Sequence, residues 1–283
     1  MPLKTLFLLL ALALLAAPAL AQVTVAESYG SGANQFTLAT GSPGELGLLR
    51  ELGEAFGKQN NATLRWVKAG SGDSLDLLKA GKVDMIMVHA PAAEKKAVQE
   101  GWAVKPTLIG SNEFFIVGPA GDPARIATAK TAIDAYKNIA DAKATFFSRG
   151  DNSGTHQKEM GIWKSAGIAP GGEWYVVTKA FMTATLKRAN DEQGYFMTDS
   201  STWAAEKNNV PALKILFKGD KALVNTYHAL AKPEGATPGA KTAAAFIDFV
   251  ASEDGQKIIR EFGRKTYGAA LYDDAAYAKQ YAD

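Results

Sequence analysis

Two rhythms of apolar residues take turns along the chain. Residues 35–40 and 63–67 are short runs rich in β-branched and aromatic side chains, which predicts strands. Between them, Leu46, Leu48, Leu49, Leu52 and Phe56 fall at helical spacing over 45–59. A helix is expected over 73–79, with Leu75, Leu77 and Leu78 as its apolar face. A third strand is expected over 83–88, bounded by Gly81 and Pro91, and a helix over 94–100. Strand, helix, strand, helix, strand in this order predicts parallel pairing with right-handed crossovers.

The pattern continues beyond Gly101. Strands are expected over 114–117, 145–147, 175–177, 195–198, 213–217 and 224–231. Helices are expected over 131–142, 155–166, 182–190, 202–207, 242–252 and 255–262. Trp163 and Trp174 are expected inside. The tail from 267 to 283 is weakly patterned and is expected to wrap the surface. There is no repeat and no long linker. The length of 283 residues suits two α/β lobes, since domains cluster at about 100–150 residues. The chain is expected to cross between them twice, near 109–114 and 223–227.

Composition narrows the classes. A hydrophobic share of 47% supplies a sizeable core and excludes a disordered chain. Lys and Arg number 31 against 29 Asp and Glu, a balance that argues against a nucleic-acid or acidic-membrane coat. Cysteine is absent, which removes disulfide scaffolds, thiolate metal sites and Cys nucleophiles. A multi-His metal site would need nearly all of His89, His156 and His228. No cofactor is expected.

Residues 1–21 are unlike the rest. A positive start at Lys4, an unbroken Leu/Ala/Phe run over 6–17 and the small-x-small Ala19-Leu20-Ala21 read as a cleaved secretory signal peptide. The run is shorter than the roughly 20 residues that span a bilayer. The mature protein is expected to begin near Gln22 and to be periplasmic.

Three Gly/Ser/Thr-rich loops follow predicted strands: Thr40-Gly41-Ser42-Pro43-Gly44, Gly70-Ser71-Gly72-Asp73-Ser74, and Ser148-Arg149-Gly150-Asp151-Asn152-Ser153-Gly154-Thr155-His156. In open α/β sheets ligands bind beyond the carboxyl ends of the strands. A helix start there offers unpaired N–H groups and partial positive charge, an anion site. Ser and Thr add neutral donors, and Arg149 adds a fork that holds two oxygens. Asp151 and Asp199 read first as caps of the helices that follow them and second as site lining. His156 reads as a first-turn surface residue. No P-loop and no Gly-x-Ser-x-Gly elbow occurs.

These segments carry a family likeness. Val88-His89-Ala90-Pro91, Ile116-Val117-Gly118-Pro119, the stretch from Phe147 to His156, Gly172-Glu173-Trp174-Tyr175, Thr198-Asp199 and Asn225-x-Tyr227 occur in this order. With them the chain resembles the periplasmic tungstate-binding components of ABC transporters. The resemblance implies the two-lobe type II periplasmic binding protein fold, an α/β architecture with mixed sheets flanked by helices and two hinge crossings. It implies a first lobe of 22–110 and 226–283 and a second of 111–225. It implies capture of tungstate or molybdate as the oxyanion between the lobes, delivery to an ABC permease, and a monomer. Arg149, Ser153 and Thr155 would contribute from the second lobe, and Ser71 from the first. The family's Thr-Thr-Thr-Ser run after the first strand is one residue short here, so Thr40 and Ser42 alone carry over. That departure leaves phosphate or another anion as the alternative ligand. A sensor subunit is an alternative role, and a secreted phosphoester hydrolase using Ser153 or Asp151 is a rival from another class.

Overall fold

The computed structural model describes residues 23–281. The expected signal peptide lies outside the described residues. The first part of the chain runs β1 (Glu27–Tyr29), β2 (Asn34–Thr40), α1 (Ser42–Glu45), α2 (Leu48–Asn60), β3 (Ala62–Lys68), α3 (Ser71–Lys79), β4 (Met85–Val88) and α4 (Pro91–Gln99). The long β5 (Val104–Pro119) then leads to α5 (Ala132–Asp141), β6 (Phe146–Ser148), α6 (Gly154–Ser165), β7 (Tyr175–Val177), α7 (Met182–Asp191), β8 (Tyr195–Asp199), α8 (Ser200–Glu206) and β9 (Leu213–Phe217). The return is β10 (Val224–Ala231), α9 (Ala240–Ala251), α10 (Glu253–Glu261), α11 (Arg264–Tyr267), β11 (Asp273–Asp274) and α12 (Ala275–Ala278).

The strands form one mixed path, β1-β3-β2-β4-β10-β5-β8-β6-β7, with β9 and β11 also paired to β5. β2 lies parallel to β3 and β4, and β6 lies parallel to β7 and β8. Both parallel sets come from strand–helix–strand units, as the alternating pattern predicts. β5 belongs to both lobes: it pairs with β10 from Val104 to Glu113 and with β8 from Phe114 to Val117. β5 and β10 together form the two crossings, with Asn112 opposite Asn225.

Each lobe has its own apolar core. In the first, Phe36, Phe56 and Phe246 meet with ring centroids 5.2–5.9 Å apart. In the second, Trp163 sits among Tyr136, Phe146 and Trp174 at 4.4–5.6 Å. Edge-to-face packing of this kind adds to the area buried. Trp163 is fully buried, whereas Trp174 is half-buried and covers it from the rim.

Four expectations change. β1 was not signalled, because a three-residue edge strand is too short to show a rhythm. β5 is sixteen residues long, not four, since its first half includes Lys105, Pro106 and Gly110, which break the apolar run. The loop after β2 winds into the single turn α1 instead of staying open. The tail does not merely wrap the surface: Leu271 and Tyr272 are buried in the first core, and β11 pairs with β5 at Gly110 and Ser111.

Asp84 ties the first lobe together. Its buried carboxylate accepts from the Thr37 N–H at 2.7 Å and the Gly239 N–H at 3.0 Å, joining β2 to the start of α9. Asp84→Ala strands two donors, at roughly 1–3 kcal/mol each. A fall in Tm of roughly 4–24 °C is expected by scanning calorimetry, at about 2–4 °C per kcal/mol for a chain of this size.

Candidate functional site

The ends of β2, β3, β4 and β6 deliver polar loops to the seam between the lobes. α3 and α6 begin there, so two helix N-termini with free N–H groups face the same space. The lobes are in close contact across it. A methyl group added to Gly72 would lie 2.6 Å from the Asn152 carbonyl oxygen, and one added to Gly154 would lie 2.5 Å from the His89 ring. The two lobes approach so closely there that any side chain at these glycines would wedge them apart.

Arg149 is nearly fully buried, and its charge is met at once. Nε and Nη2 both donate to Asp151 Oδ2, at 3.1 and 2.7 Å, and Nε also reaches the Ala180 carbonyl at 3.2 Å. Nη1 is the guanidinium nitrogen left for a ligand. The other Asp151 oxygen accepts from the Ser153 N–H at 3.1 Å. Burial alone would raise the Asp151 carboxyl, but Arg149 and Ser153 outweigh it and hold the group below the ordinary carboxylate value. The cap of α6 is therefore not Asp151, as expected from sequence, but Ser153, whose Oγ accepts from the His156 N–H at 3.3 Å. Asp151 is too far back to reach the helix and braces the cap instead. Asp199 does cap α8, through the Thr202 N–H at 2.8 Å.

The other candidates divide by what their hydroxyls already do. Thr155 Oγ1 is buried at the second residue of α6 and has no hydrogen-bond partner. Ser71 Oγ, buried at the start of α3, accepts from the His89 N–H at 3.3 Å and keeps its own proton free. The Ser153 hydroxyl instead faces the Asp151 carboxylate and favours its charged form. Thr40 differs: its hydroxyl donates to the Met87 carbonyl at 2.7 Å, inside the first lobe. Ser42 opens α1 and is half-buried.

Three further residues gather at the seam without having been singled out. Phe181, just before α7, is flanked by Arg149 at 5.4 Å and by Lys68 of the first lobe at 4.4 Å. Lys68 is paired with Glu45 at 2.6 Å. His89 is half-buried between β4 and α6, tilted against Tyr227 with ring centroids 4.8 Å apart, and its Nδ1 is buried and unpartnered. Burial first, then the Arg149 charge, push its pKa down to about 3, so the ring is neutral. The Val88-His89-Ala90-Pro91 motif was the sequence signal for this residue, without a role attached. Among the described residues no group of three or more His, Asp or Glu side chains could hold a metal ion.

The fold and the seam define a two-lobe binding protein that presents helix ends and neutral donors to an anion. The PBP superfamily domain matches residues 24–254. The chain is 35% identical over 237 residues to the tungstate-binding protein TupA of Peptoclostridium acidaminophilum, covering 82% of each chain. It superposes on the tungstate ABC transporter structure from Geobacter sulfurreducens with a TM-score of 0.73 and 39% identity, over 82% of this chain and 100% of that one. For the tungstate-binding protein TupA of Desulfovibrio alaskensis G20 the TM-score is 0.69 and the identity 38%, over 86% and 99%. The chain belongs to the PBP superfamily and, within it, to the family of these ABC-transporter binding proteins.

Neutral His89 gives a pH signature. Its folded pKa lies below the unfolded value of about 6.5, so its contribution is intact above that pH and is lost as the pH falls toward 3. About 2 kcal/mol of stability is expected to go between pH 6.5 and pH 5. His89→Gln should flatten this part of the stability curve in denaturant titrations at the two pH values. An unchanged slope would mean that the ring is solvated or paired when charged.

Proposed function

We propose that the chain is an extracytoplasmic substrate-binding protein that closes on a fully deprotonated tetrahedral oxyanion, tungstate or molybdate, and presents it to an ABC permease. The observation that carries this reading is Thr155: a buried hydroxyl with no partner, in the first turn of α6, on the loop that holds Arg149. A buried polar group without a partner costs about 1–3 kcal/mol, a cost that a ligand removes. Arg149 Nη1, Thr155, Ser153 and the first N–H groups of α6 would hold the anion from the second lobe. Ser71, Ser42 and the start of α3 would meet it from the first, with Thr40 framing the floor through its bond to Met87. The division into 22–110 with 226–283 and 111–225 is supported by the separate cores, with β5 and β10 as the hinge. Closure follows because donors on both lobes engage the same oxygens, so the anion binds the closed form better than the open one.

Asp151 bears on which anion binds. Both its oxygens are occupied within the loop, by Arg149 and by the Ser153 N–H. Oδ2 takes two bonds from Arg149 and Oδ1 one from Ser153, so the carboxylate charge is turned to its own loop, which favours tungstate or molybdate over monohydrogen phosphate. Export, cleavage near Gln22 and a monomeric state belong to the same proposal, as does a carrier role without catalysis. The rival hydrolase needs a base on Ser153. His156 meets Ser153 through its backbone N–H, while its Nδ1 accepts from the Asn152 N–H at 3.0 Å. That arrangement supports a cap and not a nucleophile.

A thermal-shift panel with tungstate, molybdate, sulfate and phosphate tests the reading. At about 100 times Kd a ligand adds about 2.7 kcal/mol. Tm should rise by roughly 5–10 °C with tungstate and molybdate. A rise with phosphate alone would reassign the ligand, and no rise with any of the four would end the oxyanion reading.

Thr155→Val separates binding from folding. It removes the unpartnered hydroxyl at nearly constant shape, so the free protein should be as stable as wild type or slightly more so. Affinity should fall about tenfold or more in calorimetric titration. Unchanged affinity would take Thr155 out of the site.

A further inference from the structure

Below the first turn of α6 lies a carboxyl group that anion capture by direct contact does not use. Glu159 is one helical turn after Thr155, about 6 Å further along the axis, and is 1% exposed. Its hydrogen-bond partners are neutral donors: Oε1 accepts from the Tyr175 hydroxyl at 2.7 Å and from the Trp163 indole at 3.2 Å. The buried Ser148 hydroxyl, immediately before Arg149, faces the same carboxyl without a well-aligned bond. No cation pairs with Glu159 among the described residues. A carboxylate there would place negative charge directly behind the surface that meets an anion.

We propose that Glu159 is a positioning residue that couples oxyanion capture to the uptake of one proton. This rests on the oxyanion reading above and adds its regulation by pH. With the proton on, Glu159 is a neutral support for Ser148 and the helix end. With the proton off, it opposes the arriving anion. Binding and protonation therefore favour each other, as linkage requires.

The surroundings leave few other sources for such an effect. From α5 the carboxyl faces Tyr136, from β7 Tyr175 and from the β6–α6 loop Asp151. Tyr136 and Tyr175 are both held far above neutrality by burial, and Asp151 far below it by Arg149. From β8, Asp199 is bonded to Thr202. On α6 itself, Lys158 turns to the Val224 carbonyl at 3.1 Å, and His156 is bonded to Asn152. Burial raises Glu159 to about 7, against the lowering effect of Tyr175, Ser148 and Trp163, which puts the change within reach of ordinary buffers.

The test is calorimetric titration with sodium tungstate between pH 6 and pH 8.5, each pH in two buffers of different ionisation enthalpy. The mature wild type is expected to take up a proton on binding, most strongly just above pH 7. Its affinity should be flat on the acid side and fall as the pH rises. Each unit by which the bound anion raises the Glu159 pKa separates the two plateaus tenfold. Glu159→Gln should keep the acid-side affinity at every pH and abolish the uptake. Should that variant not fold, Tyr175→Phe removes a donor to the carboxylate and should move the same window to higher pH. No proton uptake in wild type overturns the proposal, as does uptake that persists in Glu159→Gln or a window that Tyr175→Phe leaves in place. Absence of tungstate heat in every buffer would instead overturn the oxyanion reading itself, and this inference with it.

Discussion

A guanidinium that is 4% exposed has to be neutralised where it sits, and that constraint organises the seam. Asp151 supplies the opposite charge from two residues away, which folds the loop back on itself. The second Asp151 oxygen then fixes the Ser153 N–H, and Ser153 fixes where α6 begins. On the far side, Lys179 donates to the Gly150 carbonyl and Ala180 accepts from Arg149. The helix end is thus aimed by an ion pair already complete within the protein. On the proposed reading the pair is nearly neutral as a unit. An arriving anion is then held mainly by dipoles: helix N–H groups, free hydroxyl protons and the unused edge of Arg149. Holding a dianion this way limits the charge that must be desolvated when the seam closes.

Opposite demands meet at the two ends of the lobe interface. At the seam the lobes touch through glycines, a neutral His89 and the Lys68 ammonium over the Phe181 ring. At the hinge the contacts are polar and fully buried. Asn225 donates to Asn112 at 2.7 Å, and Asn112 donates to Ser201 at 2.8 Å. Ser201 donates to the Leu271 carbonyl at 2.5 Å. This ladder joins both crossing strands to α8 and to the tail, and it would be costly to break at any member. On the proposed reading, closure is taken up at the seam, while the bonds of Asn112 and Asn225 keep the crossing strands in register.

The fold was largely legible because most of its elements lie on one rhythm each. Residues such as Leu38, Leu52, Ile86 and Trp163 announce their faces by spacing alone, and all are buried. What escaped depends on contacts distant in sequence. The first half of β5 is a strand because β10 pairs with it, not because Lys105 and Pro106 favour one. The tail is internal because Leu271 and Tyr272 find the first core, which no local pattern can foretell. Arg149, Thr155 and Ser71 were visible as residue types after strands. The use of each hydroxyl was not, because Thr40 reaches a carbonyl forty-seven positions away while Thr155 reaches nothing. Asp151 was misread as a cap since sequence spacing alone does not tell a cap from the residue that braces it.

The loop and helix from Ser148 to Glu159 carry two carboxyl groups driven in opposite directions. Asp151 lies beside a cation and two donors that favour its charged form, and it stays ionised. Glu159 is walled in by aromatic rings and neutral hydrogen-bond partners, and burial favours its proton. Pairs pushed apart in this way have different tasks. Asp151 is a fixed charge that shapes the loop at every physiological pH. The charge at Glu159 is conditional, absent on the acid side and present on the alkaline side. An anion entering this seam meets the same geometry throughout, but the field behind that geometry depends on where the solution stands relative to neutrality. The neutral hydrogen-bond partners of Glu159 are what leave the second charge free to respond.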